Sequence, residues 1–458
     1  MGTIAADIFK AYDIRGIVDQ TLTAEAVCAI GQAIGTQTLA AGHKRIVIGR
    51  DGRLSGPKLI VALASGLQMS GCDVIDIGCV TTPMVYFAAF HLNTQCAVVL
   101  TGSHNPSNYN GLKMVIAGVT LYGDAIQELR QLIERNELSV GMGAYEQQDI
   151  RAAYMARIVS DISLARPMKI AVDCGNGVAG AYVAEVYRRL DCTVEELHCT
   201  VDGHFPNHHP DPSKPENLRD LIVALRDGDS EIGLAYDGDG DRLGVVSKQG
   251  KIIYPDRLLM LYAADVLTRN PGAEIIFDIK STGKLYDWIR VHGGKPVLWK
   301  TGHSLMKAKM QETGSLLAGE LSGHIFFKER WYGFDDGLYA GARLLEILSR
   351  VGDIDSVLHN LPDTYCTPEL HVKTGEGEQH RLMQVLANTA RFTNVLEIIT
   401  LDGVRVEYAD GFGLARASNT TPTIVLRFEA DSEEGLLRIQ TDFRRVLLDA
   451  EPKLNLPI

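Results

Sequence analysis

The sequence predicts an α/β protein with three tandem related α/β domains that contain mixed sheets, followed by a smaller α+β C-terminal domain. Three observations support this fold class. Short apolar runs rich in valine and isoleucine alternate with longer helical patterns, which is typical of α/β domains. The same order of strand-like runs and polar loops occurs three times and then stops near residue 365. The length of 458 residues exceeds a single core and suits three or four domains.

Each repeat contains three strand-like runs, and the third run ends in a polar loop rich in glycine. The third runs read CAVVLTGSHNP at 96–106, EIGLAYDGDGDR at 231–242 and GSLLAGELSGH at 314–324. Ligands of open α/β sheets bind beyond the carboxyl ends of strands, so we expect the three loops to meet around one central cleft. We place the four domains at 1–148, 149–251, 252–364 and 365–458.

The first of these loops places Ser103 after a glycine and before His104, Asn105 and Pro106. Gly102 permits a tight turn and a close approach of the backbone to an anion. No Gly-x-Ser-x-Gly elbow is present, so an esterase is a poor fit. A serine near a divalent cation suits phosphoryl transfer, which depends on positioning and charge neutralisation. The alternative is an ordinary polar turn in which the serine caps a helix.

A competing motif follows the first predicted strand of the second domain. Gly175, Gly177 and Gly180 have the spacing of a dinucleotide fingerprint, and Glu195 follows at a suitable distance. An NAD-dependent enzyme would leave the three polar loops unexplained. Close packing between a helix and a strand accounts for the same glycines, so we prefer that interpretation.

The second loop, YDGDGDR, brings three carboxylates together at Asp237, Asp239 and Asp241. Three adjacent negative charges repel, and a cation is the natural compensation. Ligands that are all oxygen atoms suit a hard cation such as Mg²⁺. An EF-hand is excluded because Arg242 replaces its glycine and Lys248 replaces its bidentate glutamate. The alternative is a solvated acidic turn.

The third loop, GELSGH, offers Glu320, Ser322 and His324 at alternate positions. A carboxylate and a hydroxyl suit the vicinal hydroxyls of a sugar, and a histidine can transfer protons. The alternative is the N-terminus of a helix with incidental polar residues. The C-terminal domain contains RASNTTP at 416–422, where an arginine fork and several hydroxyl or amide groups suit a phosphate. A polar turn is the alternative there.

Composition excludes several classes of function. The net charge is −12 and the pI is about 5.6, which argues against nucleic acid as the main partner. Eight cysteines are scattered without a CxxC pair, as in reduced thiols of the cytosol. The first residues contain no apolar stretch typical of a secretory signal, so we expect none, and the sequence contains no apolar run of the roughly 18 residues that span a bilayer. We therefore expect a cytoplasmic protein with no membrane partner.

Taken together, the motifs resemble those of the α-D-phosphohexomutase family, and of its bacterial phosphomannomutase/phosphoglucomutase group in particular. The resemblance covers nearly the whole chain. The motifs occur in the family's order, and they are AYDIRG, GRDGR, TGSHNP, DGDGDR, KTGHS, GELSGH and RASNTTP. A single one of these motifs would be weak evidence, but their order across four predicted domains is highly specific.

The resemblance implies a four-domain molecule with a deep central cleft and a set of site residues. Ser103 would be carried as phosphoserine, and Mg²⁺ would be held by Ser103, Asp237, Asp239 and Asp241. The transfer centre would consist of Ser103, His104, Lys113, Arg242 and His324, with Lys113 and His324 as candidates for proton transfer. The substrate would be bound by Tyr12, Arg15, Lys280, His303, Glu320, Ser322, Arg416, Ser418, Asn419 and Thr420.

The implied activity is reversible conversion of hexose 1-phosphate into hexose 6-phosphate, with mannose, glucose or both as the sugar. It would proceed through a hexose 1,6-bisphosphate intermediate, with glucose 1,6-bisphosphate as the activator. The expected partners are mannose 1-phosphate, glucose 1-phosphate and their 6-phosphates, and a monomer is expected. The alternatives are a phosphoglucosamine mutase, which the form of the serine and sugar loops disfavours, and a non-catalytic protein that binds sugar phosphates.

Overall fold

The structure is a computed structural model that describes residues 4–375, 377–418 and 421–458. Its four sheets follow one another along the chain and agree with the predicted division into three α/β domains and a different C-terminal domain. Within the described residues, no helix combines the length and the apolar character needed to cross a bilayer.

The first domain has a mixed sheet of seven strands with helices packed against it. Its strands are β1 (Ile14–Ile17), β2 (Arg45–Arg50), β3 (Asp73–Cys79), β4 (Ala97–Leu100), β5 (Tyr109–Ile116), β6 (Val119–Thr120) and β7 (Tyr145–Gln147). Its helices are α1 (Ala24–Ala40), α2 (Gly56–Ser70), α3 (Thr82–His91) and α4 (Asp124–Glu134). The sheet order is β1-β5-β4-β2-β3-β7, and β6 pairs with β5.

The second domain has a five-stranded sheet in the order β12-β11-β10-β8-β9. Its strands are β8 (Met168–Asp173), β9 (Cys192–Leu197), β10 (Ile232–Tyr236), β11 (Leu243–Ser247) and β12 (Ile252–Ile253). Its helices are α5 (Arg151–Asp161), α6 (Val183–Arg188) and α7 (Arg219–Asp227). Because β12 pairs with β11, this sheet extends two residues beyond the predicted boundary at 251.

The third domain has a four-stranded sheet in the order β14-β13-β15-β16. Its strands are β13 (Glu274–Asp278), β14 (Lys295–Trp299), β15 (Leu317–Gly319) and β16 (Ile325–Phe327). Its helices are α8 (Pro255–Arg269), α9 (Lys284–Val291), α10 (His303–Thr313), α11 (Gly337–Leu348) and α12 (Ile354–His359).

One strand topology is repeated in these three domains. The central strands β2, β8 and β13 each lie between two parallel neighbours, and the later neighbour then pairs with an antiparallel strand. The turn before that antiparallel strand carries Ser103 in the first domain, Asp237 to Arg242 in the second and Glu320 to His324 in the third. The repeat predicted from the sequence is therefore confirmed, and equivalent turns carry the three candidate loops.

The C-terminal domain has a different architecture. Its strands are β17 (Tyr365–Cys366), β18 (Leu370–Lys373), β19 (Glu397–Ile399), β20 (Val404–Tyr408), β21 (Gly411–Ala417) and β22 (Thr423–Ala430). They form an antiparallel sheet in the order β17-β22-β21-β20-β19, in which β18 also pairs with β22. The helices α13 (Glu378–Thr389) and α14 (Glu433–Ala450) complete the predicted α+β domain.

The first three domains share one apolar core. Phe87 of α3 packs edge-on against Tyr154 of α5, with ring centroids 5.5 Å apart. Trp331 stacks on Tyr339 of α11 at 4.0 Å and also contacts Tyr154. Tyr154 donates a hydrogen bond of 2.9 Å to Asp336 at the start of α11. These contacts join helices of three domains into one continuously packed body.

The C-terminal domain has its own core, and it meets the third domain through a small apolar cluster of Ile279, Phe412 and Leu414 and through charged groups. Arg405 donates to the carbonyls of Ile279 and Ser281 at 2.6 and 2.8 Å. Glu429 accepts from Thr282 Oγ1 at 2.7 Å and from the backbone N–H of Gly283 at 3.1 Å. An interface with only a small apolar cluster permits relative motion of domains more readily than a large shared apolar core.

We predict that Glu429→Ala lowers the free energy of unfolding by about 3 kcal/mol. The carboxylate is buried, accepts two hydrogen bonds and pairs with Arg257, so its removal leaves charged and polar partners unsatisfied. Urea denaturation measures the change. The control is Glu312→Ala, because this side chain is 65% exposed and should contribute less than about 0.5 kcal/mol. Equal effects of the two substitutions would contradict the prediction.

Candidate active site

The serine loop of the first domain and the acidic loop of the second domain are in direct contact. Ser103 Oγ donates a hydrogen bond of 2.8 Å to Asp237 Oδ2. The backbone N–H of Thr82 donates to the carbonyl of Asp239 at 2.9 Å, and the Thr82 hydroxyl donates to the Asp239 carboxylate. Gly238 is required at this junction, because a Cβ atom there would lie 2.4 Å from the carbonyl oxygen of Ser103.

A buried arginine fixes the backbone of the serine loop through hydrogen bonds. Arg53, in the GRDGR motif, donates to the backbone carbonyls of Ser103 and Asn105, at 2.7 Å each. It also donates to the carbonyls of Pro106 and Tyr109 at 2.6 and 2.9 Å. A guanidinium has five N–H donors in a rigid plane, so one side chain fixes the course of the whole loop.

Asp51 anchors this arginine and the start of the loop. Its carboxylate accepts from Arg53 Nε at 3.1 Å and from Thr101 Oγ1 at 2.8 Å. The Thr101 hydroxyl in turn accepts from the backbone N–H of Ser103 at 2.8 Å. Ser103 itself has a φ of +47°, a conformation that is strained for a residue with a side chain. The buried network therefore holds Ser103 in a backbone conformation that the residue would not choose alone.

The carboxylates of Asp237, Asp239 and Asp241 are buried, and their ligand atoms lie within 4.8 Å of one another. Burial and the neighbouring charge of Asp239 raise the pKa of Asp237 well above its ordinary value. Lys113 Nζ bonds Asp239 Oδ2 at 2.8 Å and also bonds Asp241. Burial alone would lower the pKa of Lys113, but these two carboxylates raise it well above its ordinary value.

These residues fit a hard metal cation. Three buried carboxylates face the ammonium of Lys113 and, 4.0 Å from Asp237, the guanidinium of Arg242, and the Oδ1 atom of Asp239 has no hydrogen-bond partner among the residues that the structure describes. An unpartnered buried carboxylate oxygen beside two further carboxylates is a donor set that suits a divalent ion with oxygen ligands. Ser103 Oγ lies at the same cluster.

The imidazole of His324 is fixed between an arginine and a carboxylate. Arg242 Nε donates to His324 Nε2 at 3.0 Å, and His324 Nδ1 lies 2.9 Å from Asp335 Oδ2. Because an arginine can only donate, Nε2 is the acceptor and the proton of the neutral ring lies on Nδ1, on the side of Asp335. Burial alone would raise the pKa of Asp335, but Lys307 and His324 hold it well below its ordinary value. Asp335 therefore orients His324.

The sugar-loop residues of the third domain lie beside this pair. Glu320 is buried and accepts a hydrogen bond from the backbone N–H of Gly302, and burial raises its pKa. Ser322 is half-buried on the turn between Glu320 and His324. The ring of His303 stacks on that of His324 with centroids 5.8 Å apart. Burial and the charge of Lys307 lower the pKa of His303 well below its ordinary value, so this ring is neutral.

Arg416 of the C-terminal domain points towards the third domain. It pairs with Asp402 at 3.1 Å, and Asp402 also accepts from the backbone N–H of Thr301 at 3.1 Å. Ser418 accepts from the backbone and the hydroxyl of Thr421 at 3.2 and 3.0 Å. The predicted residues Asn419 and Thr420 lie outside the described residues.

The remaining predicted residues occupy two places. Arg15 donates to the carbonyl of Gly102 at 2.6 Å, so it contacts the serine loop. His104 Nδ1 lies 3.2 Å from Ser103 Oγ, and burial lowers the pKa of this histidine well below its ordinary value.

Lys280 lies at the junction of the third and fourth domains, and Tyr12 of the first domain lies against the third. Lys280 pairs with Glu369 at 2.6 Å; burial alone would raise the pKa of Glu369, and Lys280 lowers it to about 2. The ring of Tyr12 lies against Gly302, where an added Cβ would be 3.0 Å from Tyr12 Cε1.

Several residues that build the site were not identified from the sequence. Arg53 and Asp51 were quoted only within the GRDGR motif, although a buried-type strand that ends in Arg-Asp-Gly-Arg was an available signal. Thr82, Lys307 and Asp335 had no such signal, because only the tertiary fold brings them to the cluster. The glycines of the suspected dinucleotide fingerprint serve packing instead. A Cβ at Gly177 would lie 3.0 Å from Gly238 Cα, and one at Gly180 would lie 2.1 Å from the Cys199 carbonyl oxygen.

A strained, buried serine beside a cluster of buried carboxylates and basic groups defines a phosphoryl-transfer enzyme built from three α/β domains and a C-terminal domain. The chain matches four successive family models, phosphoglucomutase/phosphomannomutase alpha/beta/alpha domains I, II and III and the C-terminal domain, at residues 6–139, 152–250, 254–365 and 369–446. The protein belongs to the phosphoglucomutase/phosphomannomutase family, which confirms the resemblance to the α-D-phosphohexomutases.

Individual relatives are similar over their whole length. The chain is 56% identical to a phosphoglucomutase of Neisseria gonorrhoeae over 461 aligned residues, with 100% of both chains covered. It is 55% identical to a phosphomannomutase/phosphoglucomutase of Pseudomonas aeruginosa, with 99% of this chain and 98% of the relative covered. A crystal structure of a family protein from Burkholderia thailandensis has a TM-score of 0.96 at 55% identity and covers 99% of this chain and 100% of its own.

We predict that Gly102→Ala disrupts the serine loop. An added Cβ would lie 2.2 Å from Arg53 Cζ, and the arginine cannot move without losing its bonds to the loop carbonyls. The free energy of unfolding should fall by about 2 kcal/mol, and displacement of Ser103 should lower mutase activity about 100-fold. Gly352→Ala is the matched control, because open space surrounds that glycine. Retention of full activity by Gly102→Ala would contradict the role assigned to Arg53.

Proposed function

We propose that this hexose phosphate mutase interconverts the 1-phosphates and 6-phosphates of mannose and glucose through a phosphoserine at Ser103. The observation that supports this most directly is the contact between Ser103 Oγ and Asp237 Oδ2 at 2.8 Å, within a buried cluster of three carboxylates. Phosphoryl transfer depends on positioning and on neutralisation of charge, and both are concentrated at this hydroxyl.

Asp237, Asp239, Asp241 and Ser103 would hold the metal, and we propose that it is Mg²⁺. When bound, the cation would neutralise charge on the phosphoryl group during transfer. The chain supplies further positive charge around the same point. Arg242 Nε lies 4.0 Å from Asp237 Oδ2, and Lys113 is held as an ammonium between Asp239 and Asp241.

The catalytic cycle would consist of two transfers. In the first, the bond between phosphorus and Ser103 Oγ breaks and phosphorus bonds to O6 of a hexose 1-phosphate, while the O6 hydroxyl proton passes through a base to Ser103 Oγ. In the second, the bond between phosphorus and O1 breaks and phosphorus bonds to Ser103 Oγ, while the Ser103 hydroxyl proton passes through the same base to O1. His324 is suited to carry this proton at Nε2, and Arg242, which donates to Nε2 at 3.0 Å, would release that atom when substrate binds. A role for Lys113 in proton transfer stays a prediction.

The sugar would turn around between the two transfers, so the binding residues must accept both orientations. Glu320, Ser322 and His303 would bind the sugar hydroxyls, with Lys280 and Tyr12 beside them. Arg416, Ser418, Asn419 and Thr420 would hold the phosphate that is not reacting. Arg416 supports this assignment because it is a buried guanidinium at the junction of the third and fourth domains. Arg15 would also bind the substrate and His104 would belong to the transfer centre, and both contact the serine loop.

The proposed cycle also implies an activator. An enzyme that loses its phosphoryl group must regain it from a bisphosphate, and we propose glucose 1,6-bisphosphate. Hexose phosphates of mannose and glucose are the proposed partners. The monomeric state and the cytoplasmic location stay predictions from the sequence.

We predict that Ser103→Ala lowers the turnover of both mannose 1-phosphate and glucose 1-phosphate by at least about 10⁴-fold, because the acceptor of the phosphoryl group is removed. A coupled assay with Mg²⁺ and a trace of glucose 1,6-bisphosphate measures this. Ser107→Ala is the matched control, since Ser107 is exposed in the same loop. Radiolabelled bisphosphate should label the wild-type chain and leave Ser103→Ala unlabelled. Turnover of glucosamine phosphate alone would favour the phosphoglucosamine mutase instead.

We predict that Asp239→Asn raises the Mg²⁺ concentration required for half-maximal activity by at least about 100-fold. Loss of a partner of a metal ligand commonly costs 10- to 100-fold in affinity, and loss of a ligand should cost no less. Wild-type protein treated with a chelator should be inactive until Mg²⁺ is restored. Asp202→Asn is the control, because that carboxylate lies outside the cluster. An unchanged Mg²⁺ requirement in Asp239→Asn would exclude this residue as a ligand.

A further inference from the structure

A second cluster of metal-ligating side chains lies in the second domain, apart from the acidic loop. It consists of Asp173 at the end of β8, His198 just after β9, and His208 in the loop that follows. One ligand atom from each residue lies within 4.8 Å of the others. The chain separates these residues by up to 35 positions, so the fold and not a local turn brings them together.

The contacts of His208 require a positive charge, a proton or a metal ion, between its Nε2 atom and the carboxylate of Asp173. Its Nδ1 lies 3.0 Å from the carbonyl oxygen of His209, and its Nε2 lies 3.0 Å from each carboxylate oxygen of Asp173. Both partners are acceptors, so a neutral imidazole satisfies only one of them. With Nδ1–H donated to the carbonyl, Nε2 faces the carboxylate with either a second proton or a metal ion between them. The carboxylate of Asp173 is only 1% exposed, which makes compensation of its charge necessary.

His198 completes the cluster in the way that metal-binding histidines usually do. Its Nε2 bonds Asp220 Oδ2 at 2.8 Å, so its other ring nitrogen is left as an acceptor. In metal sites the nitrogen that does not bind the ion commonly donates to a carboxylate or a carbonyl, and both histidines here have such a partner.

The cluster is also accessible from solvent. A polar cavity of about 440 Å³ lies beside it and is lined by Asn176, Glu196, His198, Cys199, Thr200 and Asn207. Three protein ligands beside an open cavity leave room for water as a further ligand. The side chains of His198 and His208 are 21% and 16% exposed, so an ion can reach them without unfolding of the domain.

From this geometry we propose that Asp173, His198 and His208 form a binding site for a divalent transition metal of the Zn²⁺ type, separate from the Mg²⁺ site of the active centre. A ligand set of two imidazoles and one carboxylate binds Zn²⁺ in preference to Mg²⁺. The cluster at Asp237, which offers only oxygen ligands, has the opposite preference. The site would join the end of β8 to the loop at 198–211. That loop also contacts the serine loop, because His209 Nε2 bonds the carbonyl of His104.

Cobalt titration of the full chain in saturating Mg²⁺ tests the proposal, because Co²⁺ reports its coordination by its visible absorption and Mg²⁺ does not. We expect one Co²⁺ per chain, with the intense bands of a four- or five-coordinate ion, displaced by one equivalent of Zn²⁺. His208→Gln and His198→Gln should each weaken Co²⁺ binding at least about ten-fold. The glutamine amide at 208 can still donate to Asp173, so the loop keeps its anchor while the metal ligand is lost.

Two control variants separate this site from other causes. His204→Gln, which replaces a 70% exposed histidine of the same loop, should leave the Co²⁺ bands unchanged. Asp239→Asn should also leave them unchanged, although it disturbs the Mg²⁺ site. Absence of the bands in wild-type protein would overturn the proposal. Their loss in Asp239→Asn together with their retention in His208→Gln would overturn it as well, by assigning the bound Co²⁺ to the active centre. If His208→Gln does not fold, the same titration of His198→Gln decides whether the cluster binds Co²⁺, because His198 is only half-buried and its replacement should be tolerated.

Discussion

The burial of three carboxylates on one short loop is the constraint around which the active centre is built. Asp237, Asp239 and Asp241 repel one another in a region from which water is excluded, so the loop is stable only with positive charge beside it. Lys113 supplies one such charge from β5 of another domain. The first domain therefore compensates part of the negative charge of the second domain. This ion pairing fixes the relative position of the two domains together with apolar packing.

The repeated strand topology explains why the site can be assembled from three domains. In each repeat the functional loop occupies the same turn, before the antiparallel strand, so the repeats place their loops at equivalent positions. What differs is the chemistry of the loop. The shared apolar core around Phe87, Tyr154 and Trp331 then fixes the three turns relative to one another. A rigid body of this kind suits a reaction in which small displacements of the reacting hydroxyl are costly.

The sequence was sufficient for the fold and for the principal loops, because both depend on local patterns. Apolar runs that end in polar glycine-rich loops predicted β4, β10 and β15 and the residues that follow them. The supporting groups could not be predicted, because their roles depend on distant contacts. Arg53 lies 50 residues before the serine whose carbonyl it binds, and Asp335 contacts His324 from beyond β16. The cluster at Asp173, His198 and His208 could not be predicted either, because its members lie on three separate segments that only the fold brings together.

The charged contact between the third and fourth domains has a consequence for how binding energy is used. Arg416 belongs to the fourth domain, while the serine and the carboxylates belong to the body formed by the other three. A substrate that carries a phosphate at each end of its sugar would therefore connect two separately packed units through its own charges. The distal phosphate would then act as a temporary structural part of the enzyme. A free sugar that lacks it would add nothing to the contacts that already join the two units, so binding of the distal phosphate and closure of the fourth domain on the other three would be coupled.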